Sequence, residues 1–127
     1  MDKIERWIKR QLASAVDAGI GQWDDSTESA LGERIYQVTD GQMTLMLSKT
    51  GFMYHGTSSS FECRYDEAES IELAPLVEIM KLRGDLSKIL ELGVYVQDRL
   101  DYLTMELPLR VYSSVAPVLA RIVNELV

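Results

Sequence analysis

Apolar positions along this 127-residue chain change their period, and each change predicts an element. Between residues 2 and 18, Ile4, Trp7, Ile8, Leu12, Ala15 and Val16 lie on one stripe at helical spacing. This predicts an amphipathic helix capped by Asp2 and ended by Gly19 and Gly21. Gln22 to Gly32 is polar and predicts a connector, with room for one helical turn at Ser26-Thr27-Glu28-Ser29. From Arg34 the period becomes two. Strands are predicted at Arg34–Thr39 and Met43–Ser48 around an Asp40-Gly41 turn, then at Phe52–His55 and Phe61–Tyr65. Ser70–Leu73 is predicted to continue the meander, with Ile71 and Leu73 inward.

Ala74 to Arg83 reads as a short helix, with Pro75 suited to its first turn and Gly84 to its end. A further hairpin is predicted from Ile89–Val96 and Leu100–Leu107 around Gln97-Asp98-Arg99. Leu90, Leu92, Val94 and Val96 would face the core from one strand, and Leu103, Met105 and Leu107 from the other. In the last segment Val115, Val118, Leu119, Ile122, Val123 and Leu126 repeat at helical spacing, with Ser114 as the expected cap and Pro117 in the first turn. An antiparallel sheet with one apolar face needs a cover, and this helix supplies it. The expected fold is α+β in a single domain, 1–127. A helix (1–21) precedes a unit (32–127) built as a bent antiparallel sheet or small barrel capped by the C-terminal helix.

Composition narrows the class of function. With 46% hydrophobic and 26% charged residues the chain can bury a core and is not a disordered segment. Single Cys63 allows no intramolecular disulfide and no thiol pair for zinc, which fits a reducing cytoplasm. The charged first ten residues and the lack of a long apolar run predict neither a secretory signal nor a membrane span. A net charge of −7 argues against nucleic acid, whose phosphates need a basic face. The charge is uneven: residues 1–10 carry +2, leaving −9 for residues 11–127.

The run Gly32-Glu33-Arg34-Ile35, then Met43-Thr44-Leu45 through Gly51-Phe52-Met53-Tyr54, then Tyr65-Asp66-Glu67 through Ile71-Glu72-Leu73, resembles bacterial PH-like or GRAM-like domains. The resemblance covers roughly residues 32–127 and implies successive strands closed by a C-terminal helix, in a binding module rather than an enzyme. Phosphoinositide-binding PH domains place Lys and Arg in the first hairpin loop. Here that loop, Thr39-Asp40-Gly41-Gln42, is acidic. A second resemblance is to class I type III secretion chaperones, small acidic proteins whose last strand and terminal helix are similar to Gly93–Val127. It implies a dimer that holds an unfolded client.

Candidate chemistry is sparse. His55 and Cys63 could pair as base and nucleophile only if adjacent strands turned both to one side, and alternation sends Cys63 inward. The acids Glu62, Asp66, Glu67, Glu69, Glu72 and Glu78 lack calcium-loop spacing and read as a solvated face or a contact for a basic partner. Phosphate loops, HExxH, CxxC pairs and G-x-S-x-G are absent from the sequence. No catalytic residue, cofactor or metal ligand is therefore assigned. The expected function is a non-enzymatic, cytoplasmic protein-interaction module that takes a protein or peptide by strand addition at a sheet edge. Its expected contact residues are Met46, Met53, Glu67, Glu69, Glu72 and Trp7. Met46 and Met53 are chosen because alternation places them on the non-core face. A second copy of the chain is a further candidate partner. A further alternative is a lipid-surface-binding PH-like module, although a membrane surface suits the basic N-terminal helix but not the net charge.

Overall fold

The computed structural model describes residues 3–24, 28–29, 31–81, 85, 88–97 and 102–126. The predicted roles of Asp2, Gly84, Asp98, Arg99 and Leu100 fall outside these. Three helices and two antiparallel sheets make up the described chain. They are α1 (Lys3–Asp17), β1 (Gln22–Trp23), β2 (Glu28–Ser29), β3 (Gly32–Asp40), β4 (Met43–Ser48), β5 (Gly51–His55), β6 (Ser60–Arg64), β7 (Ala68–Glu72), α2 (Leu76–Lys81), β8 (Ile89–Val96), β9 (Tyr102–Pro108) and α3 (Leu109–Arg121), which runs on into a π-helical turn at Ile122–Leu126.

The first sheet has the order β1-β3-β4-β5-β6, with β2 also paired to β3. The second is β7-β8-β9. The chain is thus α+β as expected, but β7 does not continue the meander. After the turn at Tyr65–Glu67 it leaves β6 and founds the second sheet. The sheets do not close into a barrel. Glu28–Ser29 is a short strand on β3 rather than a helical turn. The first hairpin turns at Gly41–Gln42, one residue later than expected, because Asp40 still pairs with Met43 as the last rung. Gly41 supplies the left-handed backbone that the turn requires (φ +63°).

Two register shifts adapt the strands to the core. One lies between Arg34 and Tyr36 and lets the sequence neighbours Ile35 and Tyr36 both become buried. The other, between Ala68 and Ser70, brings Ala68 and Ile71 to the same side although they are three residues apart. Leu73 was expected inward, but β7 ends at Glu72 and the chain turns toward α2, so Leu73 is exposed.

Helix α1 buries Ile8, Leu12 and Ala15. It ends in a Schellman turn: Ile20 N–H donates to Ala15 O (2.8 Å) and Gly19 N–H to Val16 O (3.0 Å), with Gly19 left-handed. Helix α3 starts five residues before the expected cap. The apolar stripe continues backward through Val111 and Tyr112 to Leu109, all buried, and that burial outweighs the capping preference of Ser114. Ser114 lies inside the helix and donates its hydroxyl back to Arg110 O (3.3 Å). Pro117 therefore sits in the helix interior, on an exposed face where water can reach the carbonyl it leaves without a helical donor. Val115, Leu119 and Ile122 are fully buried. Each stabilises the fold by about 1.5–3 kcal/mol relative to exposure.

Polar ties join these parts. Tyr54 of β5 reaches the second sheet, where its hydroxyl accepts from Glu106 N–H (3.0 Å) and donates to Glu106 O (3.2 Å). Ser59 Oγ donates to Thr104 O (3.1 Å). On the opposite edge, Asn124 bonds both backbone groups of Ile71: its Oδ1 accepts from the N–H (3.2 Å) and its Nδ2 donates to the carbonyl (3.5 Å). Tyr112 hydroxyl accepts from Ala74 N–H (2.7 Å). Arg110 holds Asp40 through both carboxylate oxygens, which fastens the acidic first hairpin to the start of α3.

Tyr54→Phe should cost about 1–3 kcal/mol, because it leaves Glu106 N–H and C=O without their partner while removing no apolar area; urea unfolding checks it. Burial pushes the Tyr36 hydroxyl, which donates to Ile20 O (2.7 Å), up to about 12 from 10.0. The neutral form is favoured in the fold, so this stabilisation is fully present below pH 10 and is lost as pH rises to 12. Tyr36→Phe should flatten the fall in stability over that window, as measured by unfolding at stepped alkaline pH.

Candidate functional site

Tyrosine placement organises the surface of the second sheet. Alternation turns Leu90, Leu92 and Val94 of β8, with Met105 and Leu107 of β9, into the core. The same alternation turns Ile89, Glu91 and Tyr95 outward. Tyr95 pairs with Tyr102, Gly93 with Thr104, and Glu91 with Glu106. Glu72 of β7 lies opposite Gly93. Ile89 and Tyr102 are 52% and 50% exposed, so this is not a wet polar face of the usual kind. Large exposed apolar side chains among the described residues concentrate here: Trp23 aside, they are Leu73, Val77, Met80, Ile89, Tyr95 and Tyr102, all on the second sheet or on α2 and its approach.

The rings of Tyr95 and Tyr102 lie 5.1 Å apart at 31°. Tyr102 is laid across Gly93, where a Cβ would sit 3.3 Å from its ring carbons, and this holds the ring along the sheet. Tyr95 hydroxyl donates to Glu72 Oε2 (2.8 Å), and that bond to a carboxylate raises the hydroxyl above its ordinary range. A cleft of about 320 Å³ runs between Leu73, Glu78, Ile89, Glu91, Gly93 and Tyr102. A second, of about 400 Å³, lies between Ile79 of α2 and Tyr112 and Pro117 of α3. Both are walled by Leu73 and Ala74.

The electrostatics of this face are one-sided. Glu91 and Glu106 oppose each other on neighbouring strands, an arrangement that is destabilising for like charges. Glu72, Glu91 and Glu106 make no ion pair among the described residues. Exposed Lys81 and Lys88 pair with none of them either.

The expected contact residues are dispersed. Met46 and Met53 are direct cross-strand partners, half-buried on the outer side of the first sheet between Gln37 and Glu62. Glu67 sits at the turn before β7, with Oε1 3.8 Å from Arg64 Nε. Asp66 takes the stronger bond from Arg64 (3.1 Å), which holds its carboxyl below the ordinary range. Glu69 is exposed on β7. Of the six, Glu72 alone belongs to the aromatic face. Trp7 packs within the chain: its indole N–H donates to Val118 O (3.3 Å), and Arg121 covers its ring at 4.9 Å. His55 is exposed opposite Ser60, while Cys63 is buried opposite Phe52, so the two do not meet. Among the described residues no three or more His, Cys, Asp or Glu are placed to hold a metal ion, and no helix is long and apolar enough to cross a membrane.

Tyr95, Tyr102, Ile89 and Glu91 were not singled out from sequence. The signal was the outward half of the alternation that places Leu90, Leu92 and Val94 in the core. No family model matches the chain, and no curated protein or solved structure matches it.

Glu91→Lys replaces a like-charge cross-strand pair with an opposite-charge pair facing Glu106. It should stabilise the chain by about 0.2–1 kcal/mol at low ionic strength and by less in high salt, checked by the urea midpoint at two salt concentrations.

Proposed function

We propose that this chain is a non-enzymatic protein-interaction module, and that its docking surface is the outer face of β7, β8 and β9 together with α2. A single observation carries the reading: Ile89, Tyr95 and Tyr102 are exposed on the outer face of β8 and β9, and exposed Leu73, just past the end of β7, lines the same cleft as Ile89 and Tyr102. Tyrosines oriented in advance, Tyr95 by its bond to Glu72 and Tyr102 by its seat on Gly93, suit recognition, because less side-chain freedom is lost on binding. The PH-like resemblance, which implies successive strands closed by a C-terminal helix, supports reading the chain as a binding scaffold. A cytoplasmic setting, with Cys63 kept as a core thiol, belongs to the same reading.

The mode of docking differs from strand addition. Asn124 already bonds the β7 edge at Ile71, and Tyr112 bonds Ala74 two residues beyond its end. On β9, Tyr54 and Ser59 do so at Glu106 and Thr104. A partner strand would have to displace these side chains before it could pair. Recognition therefore runs through side chains on the face, with apolar groups entering the cleft between Leu73, Ile89 and Tyr102.

A photoreactive benzoylphenylalanine placed at Ile89 should give discrete cross-links in a native lysate, and the same group at Thr44 on the outer side of the first sheet should not. Adding Leu73→Ser to the Ile89 probe should abolish them. Equal cross-linking from both positions, or no effect of Leu73→Ser, would overturn this surface as the docking site.

A further inference from the structure

The partner's chemistry can be taken one step further, resting on the docking reading above. We infer that the face takes an extended basic segment, with arginine or lysine at alternate positions seated between the Tyr95–Tyr102 rings and the carboxylates of Glu72, Glu91 and Glu106.

Three independent features of the face converge on a cation. First, Glu91 and Glu106 face each other across β8 and β9 without an ion pair among the described residues, so the free chain bears a repulsion that a bound cation would convert to attraction. Second, the Tyr95 and Tyr102 rings, 5.1 Å apart and tilted by 31°, are both exposed, with Tyr102 lying against Gly93. An exposed ring face attracts a guanidinium or ammonium through its quadrupole. Third, Tyr95 hydroxyl fixes Glu72 beside those rings, so one cation can meet an aromatic face and a carboxylate together.

The repeat also fits. Along β8 the outward residues Ile89, Glu91, Gly93 and Tyr95 recur every second residue, at about 7 Å. An extended segment presents alternate side chains at the same interval. One running along β8 can place an apolar group against Ile89 and Leu73, a cation at Glu91 and Glu106, and a second cation one repeat on, over Gly93, where Tyr102 and Glu72 flank it. An acidic segment would meet three carboxylates, and a wholly apolar one would bury them without partners. Planar guanidinium matches both the ring faces and the paired carboxylate oxygens, so arginine should exceed lysine.

The test uses the intact chain, isotope-labelled, and the blocked peptide Val-Ser-Arg-Ser-Arg-Ser-Val, compared with the same peptide carrying citrulline for arginine. At low salt, near about 20 mM, screening is weak and the electrostatic share is largest. The arginine peptide should shift the amide signals of Glu91, Gly93, Tyr95 and Thr104. Citrulline should bind about tenfold or more weakly, a loss of about 1.4 kcal/mol. Glu91→Lys, expected to be the more stable protein, should lose the arginine-dependent shifts, which separates recognition from folding. Equal binding of the two peptides, or unchanged binding by Glu91→Lys, would overturn the basic partner while leaving the face a docking site. Failure of the arginine peptide to shift these signals would also overturn it. Concentration-dependent broadening of the same signals without peptide would assign the face to a second copy and overturn it as well. The Ile89 cross-linking result decides the docking reading separately.

Discussion

Two sheets that share no backbone ladder must be held at a fixed spacing by something else, and here a tyrosine hydroxyl does it. Tyr54 leaves β5 and satisfies both the N–H and the C=O of Glu106 on β9. A closed barrel would spread that task over a row of strand-to-strand bonds. In this protein it falls on side chains: Tyr54 and Ser59 at one margin, and Arg110 gripping Asp40 beside it. Gly56 lies under the Tyr54 hydroxyl, where a Cβ would come within 2.2 Å of the oxygen, so the link depends on a glycine as well as on the ring. The apolar core between the sheets, with Phe52, Leu92, Met105 and Leu107 fully buried, gives cohesion but no register. Directional bonds supply the register.

The helices act on the other side of that core. Helix α3 packs against all three strands of the second sheet, and α1 rests on both α3 and the first sheet, pinned by Trp7 to Val118 O. The basic N-terminal segment is partly absorbed within the chain. Lys9 lies 3.8 Å from Glu5, and Lys49 of the first sheet reaches the same carboxylate. The inner surfaces are thereby covered, while on the outer face of β7-β8-β9 apolar and acidic side chains meet solvent together. On that face the like charges of Glu91 and Glu106 oppose each other, which costs stability.

Periodicity makes most of the elements legible in the sequence. The α1 stripe, the paired strands β3 to β6, the hairpin of β8 and β9 and the helix at Leu76–Lys81 all follow from spacing and turn residues. Spacing did not reveal where the meander breaks. Ile71 is apolar on either sheet, and the choice was made by long-range pairing with Val94. The start of α3 was hidden because Ser114 is a good cap and Pro117 a good first-turn residue, whereas burial of Leu109 and Tyr112 decided the matter. The aromatic face was present in the outward positions of β8, but the significance of Glu91 appears only when the register sets it against Glu106.

Asn124 carries a consequence of its own. Its amide presents an acceptor to one backbone group of Ile71 and a donor to the other, imitating the missing neighbour strand with one side chain. Aspartate has the same shape but no N–H, so hydrolysis of that single amide would turn an oxygen toward the Ile71 carbonyl and unseal the strand without altering its size or position. A protein aged in this way would keep its fold while leaving an unsealed strand margin beside the proposed docking face.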